Sequence, residues 1–427
     1  MTLAPLSLAL AALGTLAQAA PELSIRPEAR PGAGQAPSPI EVLLRPEDLS
    51  DLSQAGFETW IAAFRPYALT EGISATTYDE AFASARFDPG IVEKDRRQNE
   101  FTKTIWDYLD TAVSDARVAN GRAALKAQGA TLDRIEAEYG VSKEIVTAIW
   151  GLESAYGGFK GTTPTLGALA TLAYEGRRAA FFEAEVIAAL KILEAGETSA
   201  PNLRGSWAGA MGHTQFMPSS YLELAVDWTG DGRRDIWGED PADALASTAA
   251  YLAERGWQTG VPWGFEVLLP SDFDYLQARR DNTKTLEGWR GLGVAPVGQP
   301  EVPAETELSL LLPAGADGAA FLISENFEVL ESYNTADAYV IAVGHLAQRL
   351  AGAGPLTNSW PRQDRALTYD ERIELQELLR AAGFDPEKID GRIGPLTIAA
   401  VRNYQDAEGL RPDGYVSLRV LEHLREG

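Results

Sequence analysis

The chain has 427 residues, 45% of them hydrophobic, with a formal net charge of −24 and no cysteine. This composition suits a large folded core, and the length suits roughly three domain-sized units or one large domain plus a small one. The acidity argues against nucleic acid as a partner, because phosphates attract Lys and Arg. Without cysteine there are no disulfides, thiolate metal sites or cysteine nucleophiles, and the three histidines are too far apart in sequence to indicate a metal cluster.

The first twenty residues predict a secretory signal peptide. An apolar run from Leu3 to Leu16 precedes Ala17-Gln18-Ala19, a small-x-small cleavage pattern, although no Lys or Arg comes before the run. The run is shorter than a membrane span requires, so we expect an exported protein without a stable membrane anchor; the alternative is a weak membrane-proximal anchor or a wrongly assigned start. Residues 21–54 are rich in Pro, Gly and Ala and predict a flexible linker.

Residues 55–350 have a mainly helical pattern, and one predicted helix, Val141–Tyr156, carries a candidate acid–base residue. Its apolar stripe is formed by Ile145, Ile149, Leu152 and Tyr156 and is widened by Val146 and Trp150. Glu153 falls inside this arc, where a carboxyl group must be paired or have a raised pKa, because its charged form is desolvated. A protonated carboxylic acid in such surroundings can protonate a glycosidic oxygen. The alternative is a glutamate at the helix rim, paired with an arginine or a backbone amide.

The segment Gly205–Tyr221 (GSWAGAMGHTQFMPSSY) brings small residues, amides, hydroxyls and aromatic rings together. Small residues let a ligand approach the backbone closely, and aromatic rings offer faces for sugars. A glycine-rich packing turn is the alternative. Ser206 and His213 also raise the question of a serine hydrolase, but the G-x-S-x-G motif is absent, so we set that interpretation aside.

Two further patterns follow before residue 350. Asp227, Thr229 and Asp231, with Gly232, match positions 1, 3, 5 and 6 of an EF-hand loop, but position 12 is Gly238 rather than Glu. A calcium site and a plain Asx-turn loop are therefore both open. Between residues 263 and 324, short apolar runs bounded by Pro, Gly and Asp predict a small β-containing subdomain.

The C-terminal region is predicted as a linker, residues 351–366, followed by a three-helix unit, residues 367–427. Pro395 suits the first position of a helix after a turn, and the unit has no clustered acid–base or metal-binding residues, so we expect it to bind rather than react. It resembles the peptidoglycan-binding domain of cell-wall hydrolases; a generic helical bundle is the alternative. The matching elements are Leu375-Gln376-x-x-Leu379, Gly383-Phe384, Asp390-Gly391-x-x-Gly394-Pro395-x-Thr397, Ala400-Val401, Tyr404-Gln405 and Gly409-Leu410.

Residues 55–350 resemble the lytic murein transglycosylase B family. The resemblance rests on Ile149-Trp150-Gly151-Leu152-Glu153-Ser154, Gly209-Ala210-Met211-Gly212-x-x-Gln215-Phe216-Met217-Pro218-Ser219-Ser220-Tyr221, Trp106-x-Tyr108, Arg177-Arg178-x-x-x-Phe182 and Ser332-Tyr333-Asn334 with Tyr339. It implies a mainly α chain with a lysozyme-like helical catalytic domain, a small β-containing subdomain and the three-helix peptidoglycan-binding domain. Glu153 corresponds to the single catalytic glutamate of the family.

The resemblance also implies a glycan cleft. Its implied substrate-binding residues are polar (Ser206, Gln215, Asn334), aromatic (Tyr108, Tyr333, Tyr339) and basic (Arg177, Arg178), the last facing stem-peptide or lactyl carboxylates. Ser206 and Asn334 would place the N-acetyl group of the reacting sugar. In the family member with a calcium loop, a later acidic residue completes the site; Asp243 is the nearest counterpart here, with a spacing longer by two.

The implied function is a periplasmic lytic transglycosylase whose partner is the peptidoglycan glycan strand, with no required cofactor beyond a structural Ca²⁺ if the loop binds one. Glu153 would protonate the oxygen between N-acetylmuramic acid and N-acetylglucosamine and then accept a proton from the muramic C6 hydroxyl, leaving a 1,6-anhydro end. Two alternatives stay open: a muramidase of similar fold and a non-catalytic wall-binding scaffold. Cell-wall synthesis or division proteins are possible further partners, and the sequence names none of them.

Overall fold

The computed structural model describes residues 52–96 and 103–426, and within these ranges the chain is mainly helical, which confirms the predicted fold class. The predicted signal peptide and nearly all of the first predicted linker lie outside the described residues. The first helices are α1 (Gln54–Thr70), α2 (Ala75–Phe82), α3 (Pro89–Arg96), α4 (Ile105–Ala112), α5 (Asp115–Ala127), α6 (Gly129–Tyr139), α7 (Lys143–Ser154), α8 (Thr165–Glu175) and α9 (Ala179–Glu194). The later helices are α10 (Pro218–Leu224), α11 (Ala242–Glu254), α12 (Leu286–Gly291), α13 (Glu325–Tyr333), α14 (Asp337–Leu350), α15 (Tyr369–Ala381), α16 (Pro395–Ala407) and α17 (Leu418–Glu426).

Short strands form two sheets. The strands are β1 (Thr163–Pro164), β2 (Arg204–Gly205), β3 (Gly264–Leu268), β4 (Ala295–Pro296), β5 (Ser309–Leu311) and β6 (Ala320–Ile323). Strands β1 and β2 pair with each other, whereas the other four form an antiparallel sheet in the order β4-β3-β6-β5. This four-stranded sheet is the predicted β-containing subdomain, with Trp289 buried in its core and its Nε1 donating to the Leu308 carbonyl at 2.8 Å.

Helix α7 lies in the middle of the largest hydrophobic core, packed against α14, α5, α11 and α6. Every residue from Ile145 to Gly151 is buried, so the helix is enclosed on nearly all sides. Full burial of a side chain such as Ile149 contributes about 1.5–3 kcal/mol to folding, and several such residues hold this helix in place. The helix is therefore a rigid support for the residue at its C-terminal end.

The helix predicted over Val141–Tyr156 ends two residues early, at Ser154. Ala155 and Tyr156 have φ angles of 50° and 60°, in the left-handed region that terminates a helix. The Tyr156 ring then turns back over the last turn and its hydroxyl donates to the Arg117 carbonyl at 2.9 Å. Gly151 is needed for this return, because a Cβ there would lie 2.6 Å from the Tyr156 ring.

The C-terminal unit has its own small core around α15, α16 and α17, as the helical pattern predicted, with Pro395 in the first turn of α16. The segment before it is attached to the main body rather than extended into solvent. The Glu266 carboxylate accepts backbone N–H bonds from Thr357 at 2.8 Å and from Asn358 at 2.6 Å, and Arg362 pairs with Asp110 at 2.7 Å. Residues 351–366 thus follow a fixed path along the surface.

The C-terminal unit also contacts the β-containing subdomain directly. Asp413 accepts a hydrogen bond from the Ala316 N–H at 3.0 Å, and Arg411 pairs with Asp317 at 2.9 Å.

Across the described ranges, we find no helix whose length and apolar character would let it cross a membrane.

Candidate active site

Glu153 occupies the last turn of α7, and its Oε1 accepts a hydrogen bond from the Tyr339 hydroxyl of α14 at 2.6 Å. Burial raises the pKa of Glu153 to about 7, although the hydrogen bond from Tyr339 opposes part of the rise. Within the part of the chain that the structure describes, no lysine or arginine forms an ion pair with this carboxylate. The rim glutamate paired with an arginine, the alternative for this position, is not what the structure shows.

Three tyrosines surround this carboxyl group. Tyr108 of α4, Tyr333 of α13 and Tyr339 are all buried, and burial followed by the charge of Glu153 raises the pKa of each hydroxyl. Neutral tyrosine hydroxyls can donate hydrogen bonds at physiological pH without adding charge. Four predicted site residues therefore lie close together in the fold, although they are far apart in the sequence: Tyr108, Glu153, Tyr333 and Tyr339.

The glycine-rich segment after β2 folds as a tight double turn next to this cluster. The N–H and carbonyl groups of Met211 and Phe216 pair with each other at 2.8 and 3.0 Å. Gly212, with φ 72°, lies against the Ile236 carbonyl, which a Cβ would approach to 2.3 Å. Ser206 is fixed at the start of the turn, where its Oγ accepts the Ala210 N–H at 3.1 Å.

Tyr333 joins the two segments that carry Gln215 and Asn334. The Tyr333 hydroxyl donates to the Thr214 carbonyl at 2.6 Å, which joins the end of α13 to the residue before Gln215. Gln215, in a left-handed conformation with φ 56°, donates from its amide to the Gly212 carbonyl at 2.8 Å. Asn334 follows Tyr333, is 3% exposed, and accepts the Ala336 N–H at 3.1 Å. Their contact with a glycan stays a prediction.

Sequence reasoning missed a positioning network beside Glu153. The Trp150 indole N–H donates to His213 Nδ1 at 3.1 Å, and His213 Nε2–H donates to the Gly238 carbonyl at 2.8 Å. Burial lowers the pKa of His213, so the ring is neutral, as this donor–acceptor pair requires. Ser154 adds a hydrogen bond to the His213 carbonyl. The motif Ile149–Ser154 already places Trp150 and Ser154 on either side of Glu153. The sequence does not show that His213 is their common partner.

Arg177 and Arg178 are held in another arrangement. They lie between α8 and α9, and both face Asp95 of α3, a carboxylate that is 1% exposed. Arg177 forms an ion pair with the Asp95 carboxylate and also donates to the Asp95 backbone carbonyl at 3.0 Å. The Arg178 guanidinium lies 3.9 Å from the same carboxylate and over the Phe182 ring. Both arginines thus hold α3 against the start of α9 through Asp95. A role toward substrate carboxylates stays a prediction.

The loop with EF-hand spacing is held by hydrogen bonds to its own backbone. Asp243 Oδ1 accepts the N–H groups of Trp228 and Thr229 at 2.9 and 3.0 Å, and its Oδ2 accepts that of Asp235 at 2.8 Å. Both carboxylate oxygens of Asp227 likewise accept loop N–H groups. Asp231 is exposed and accepts the Arg233 N–H. Over residues 52–96 and 103–426, no three metal-ligating His, Cys, Asp or Glu side chains come together. These hydrogen bonds form Asx turns, one of the two alternatives for this loop; calcium binding by the predicted set Asp227, Thr229, Asp231 and Asp243 stays a prediction.

Replacing Asp243 with alanine is expected to lower the free energy of unfolding by about 3 kcal/mol, because its buried carboxylate is the acceptor for three backbone N–H groups of the loop. Asp231→Ala, on the exposed side of the same loop, should change it by less than about 0.5 kcal/mol. Urea unfolding of the three proteins, each with calcium chloride and with EDTA, measures both effects. A clear rise in the stability of the unsubstituted protein with calcium would show that the loop holds the ion.

Two parts of the chain match known protein families. Residues 56–348 match the family described as "Transglycosylase SLT domain", and residues 368–424 match the family described as "Putative peptidoglycan binding domain". A 252-residue stretch is 34% identical to the membrane-bound lytic murein transglycosylase B of Escherichia coli strain K12 and covers 57% of this chain and 66% of that protein, just under two thirds of its length.

Two solved structures are similar to this chain over different shares of its length. SltB3 from Pseudomonas aeruginosa, in complex with NAG-anhNAM-pentapeptide, is 47% identical with a TM-score of 0.82, covering 86% of this chain and 99% of that chain. The lytic transglycosylase Slt35 of Escherichia coli, in complex with calcium, is 29% identical with a TM-score of 0.57, covering 69% of this chain and 92% of that chain. The similarity to the first spans both the helical body and the C-terminal unit.

Proposed function

Because the chain belongs to the lytic transglycosylase family that carries the SLT domain, we propose that it cleaves the β-1,4 bond between N-acetylmuramic acid and N-acetylglucosamine, with Glu153 as acid and then base. The observation that carries this proposal is the Glu153 carboxyl group, whose pKa burial raises to about 7. A group with that pKa can both give and take a proton near neutral pH, which is what an acid–base catalyst requires.

In the first step, Glu153 donates its proton to the glycosidic oxygen as the bond from that oxygen to the muramic C1 breaks. The electron pair of the bond leaves with the oxygen, and N-acetylglucosamine departs with a free 4-hydroxyl. The 2-acetamido oxygen of the muramic residue stabilises the cationic C1 from within the substrate. This substrate assistance suits a site in which, among the described residues, no second carboxylate influences Glu153.

In the second step, the muramic C6 hydroxyl attacks C1 and gives its proton to the Glu153 carboxylate. A 1,6-anhydro ring forms, the acid form of Glu153 is regenerated, and no water is consumed. Tyr339 supports the carboxylate between the two steps, because its hydrogen bond at 2.6 Å favours the charged form. The same residue therefore serves both steps.

The remaining predicted residues are proposed to bind the strand around this point. Ser206, Gln215 and Asn334 would contact polar groups of the sugars, and Tyr108 and Tyr333 would contact their faces and hydroxyls. Residues 55–350 are proposed as the catalytic domain and residues 367–427 as a peptidoglycan-binding domain that holds the enzyme on the wall. Residues 1–20 are proposed as a signal peptide directing the protein to the periplasm, where this substrate lies.

Mass spectrometry of muropeptides released from purified sacculi tests the reaction. We expect products that end in 1,6-anhydro-N-acetylmuramic acid and are about 18 mass units lighter than the hydrolysis products, because no water is added. Reducing ends would favour the muramidase alternative. Binding to sacculi without any release would favour the scaffold alternative.

A further inference from the structure

The junction between α13 and α14, residues 331–339, carries three of the residues proposed to surround the reacting bond: Tyr333, Asn334 and Tyr339. We call this segment the α13–α14 corner. Only Tyr339 in it hydrogen-bonds the Glu153 carboxylate directly, at 2.6 Å. The geometry of the site therefore depends on how firmly this corner is held.

One arginine from outside the helical body connects both sides of the corner. Arg280 follows the 3-10 turn Tyr275–Gln277, in the β-containing subdomain. Its two Nη atoms donate to the two Glu331 carboxylate oxygens, each at 2.9 Å, and one of them also donates to Asp337 Oδ1 at 2.7 Å. Glu331 belongs to the last turn of α13, and Asp337 is the first residue of α14.

An arginine suits this position because two carboxylates share its one guanidinium. Glu331 and Asp337 are two carboxylates on one guanidinium, and their side chains are only 23% and 33% exposed, so each would repel the other without it. Burial raises the pKa of Glu331, and Asp337 adds to the rise while Arg280 opposes it. A planar guanidinium can meet two carboxylates at once, which a single ammonium group does less well. The Arg280 guanidinium also lies over the Phe327 ring of α13, 4.7 Å from its centroid.

We propose that Arg280 is a positioning residue for the reaction, which fixes the α13–α14 corner so that Tyr339 stays in contact with Glu153. This inference rests on the proposed function of Glu153. Asp337 lies two residues before Tyr339 on the same helix, so a shift of the helix start displaces the Tyr339 hydroxyl as well. A displacement of about 1 Å in a catalytic contact is enough to cost up to a hundredfold in rate.

Arg280→Met is expected to lower kcat about tenfold and to raise KM by a smaller factor. Tyr333 stays anchored to the Thr214 carbonyl, whereas the contact between Tyr339 and Glu153 loosens. The pH above which activity falls should rise at the same time, since the Tyr339 hydrogen bond lowers the pKa of Glu153. Tyr108, Tyr333 and Tyr339 are the titratable groups that face Glu153 from α4, α13 and α14, since its charge raises the pKa of each hydroxyl, and none of them is replaced.

Arg279→Met is the matched control. Arg279 is the neighbouring residue, but its guanidinium is exposed and pairs only locally with Asp281, at 2.7 Å. We expect this variant to keep the kcat and the pH profile of the unsubstituted enzyme. Circular dichroism at the assay temperature gives the folded fraction by which each rate is divided.

Asp337→Asn serves if Arg280→Met does not fold, because it leaves the two bonds between Arg280 and Glu331 in place. It should move kcat and the pH profile in the same direction by a smaller amount. The proposal is wrong if the folded variants keep both quantities, or if kcat falls while the pH profile stays fixed. Failure of the proposed function looks different, because the unsubstituted enzyme would then release no anhydro products.

Discussion

Replacing Glu153 with glutamine is expected to lower kcat for peptidoglycan cleavage by at least about a hundredfold, while binding to sacculi is retained. Glutamine has nearly the same shape and can still accept the Tyr339 hydrogen bond through its amide oxygen, so the fold should be unchanged. It cannot donate a proton to the glycosidic oxygen or accept one from the C6 hydroxyl. Both steps of the proposed mechanism therefore fail at the same residue.

Glu144→Gln gives the matched control for this experiment. Glu144 lies in the first turn of the same helix, α7, at the end opposite to Glu153. Its replacement changes charge and composition identically but should leave the rate within about twofold. Release of anhydro-muropeptides over time, with the bound fraction measured by sedimentation of sacculi, reports both quantities. If Glu153→Gln retained more than about a tenth of the activity, another group would have to be the acid.

The pH dependence of the reaction should follow the protonation of Glu153. Because the acid form of the free enzyme starts the reaction, kcat/KM should be level below about pH 6 and fall tenfold for each pH unit above about 7. At pH 9 roughly one molecule in a hundred would carry the proton, so activity should be about 1% of its plateau. An ordinary exposed glutamate, with a pKa near 4.3, would instead place the fall in the acid range.

Tyr339→Phe should move this fall to higher pH. The hydrogen bond from Tyr339 lowers the pKa of Glu153, so removing it leaves burial less opposed and raises the pKa further. The plateau rate should drop as well, because the carboxylate loses its donor between the two steps. Initial rates on a soluble muropeptide substrate between pH 4 and pH 9 give both parameters.

Tyr78→Phe is the control for the loss of a buried tyrosine hydroxyl. Tyr78 lies in α2, where it is 1% exposed and donates to the Ile61 carbonyl at 2.7 Å. This change should reduce stability slightly and leave the pH profile in place. A profile that is unmoved by Tyr339→Phe would mean that Tyr339 does not set the acidity of the catalytic group.

Local pattern was enough to predict much of the architecture. The helical body, the β runs near Phe265 and Leu310, and the three C-terminal helices were all visible as periodic apolar residues between turn signals, because burial of one face repeats with the period of the element. The apolar pattern extends α7 two residues too far, since Tyr156 continues the stripe although its backbone is left-handed. The apolar period indicates which side chains are buried. It does not distinguish a residue of the helix from a residue after its end that folds back onto the last turn.

Spacing along the chain is enough to place Glu153 on the apolar arc of a helix. The groups that face its carboxyl come from distant parts of the chain. Tyr339 is 186 residues away, and the partners of Arg177, His213 and Arg280 are set by how helices and loops pack. Tyr339 entered the expected site through family resemblance alone. The acidity of a carboxyl group depends on its surroundings in space, and those are fixed only when distant segments come together.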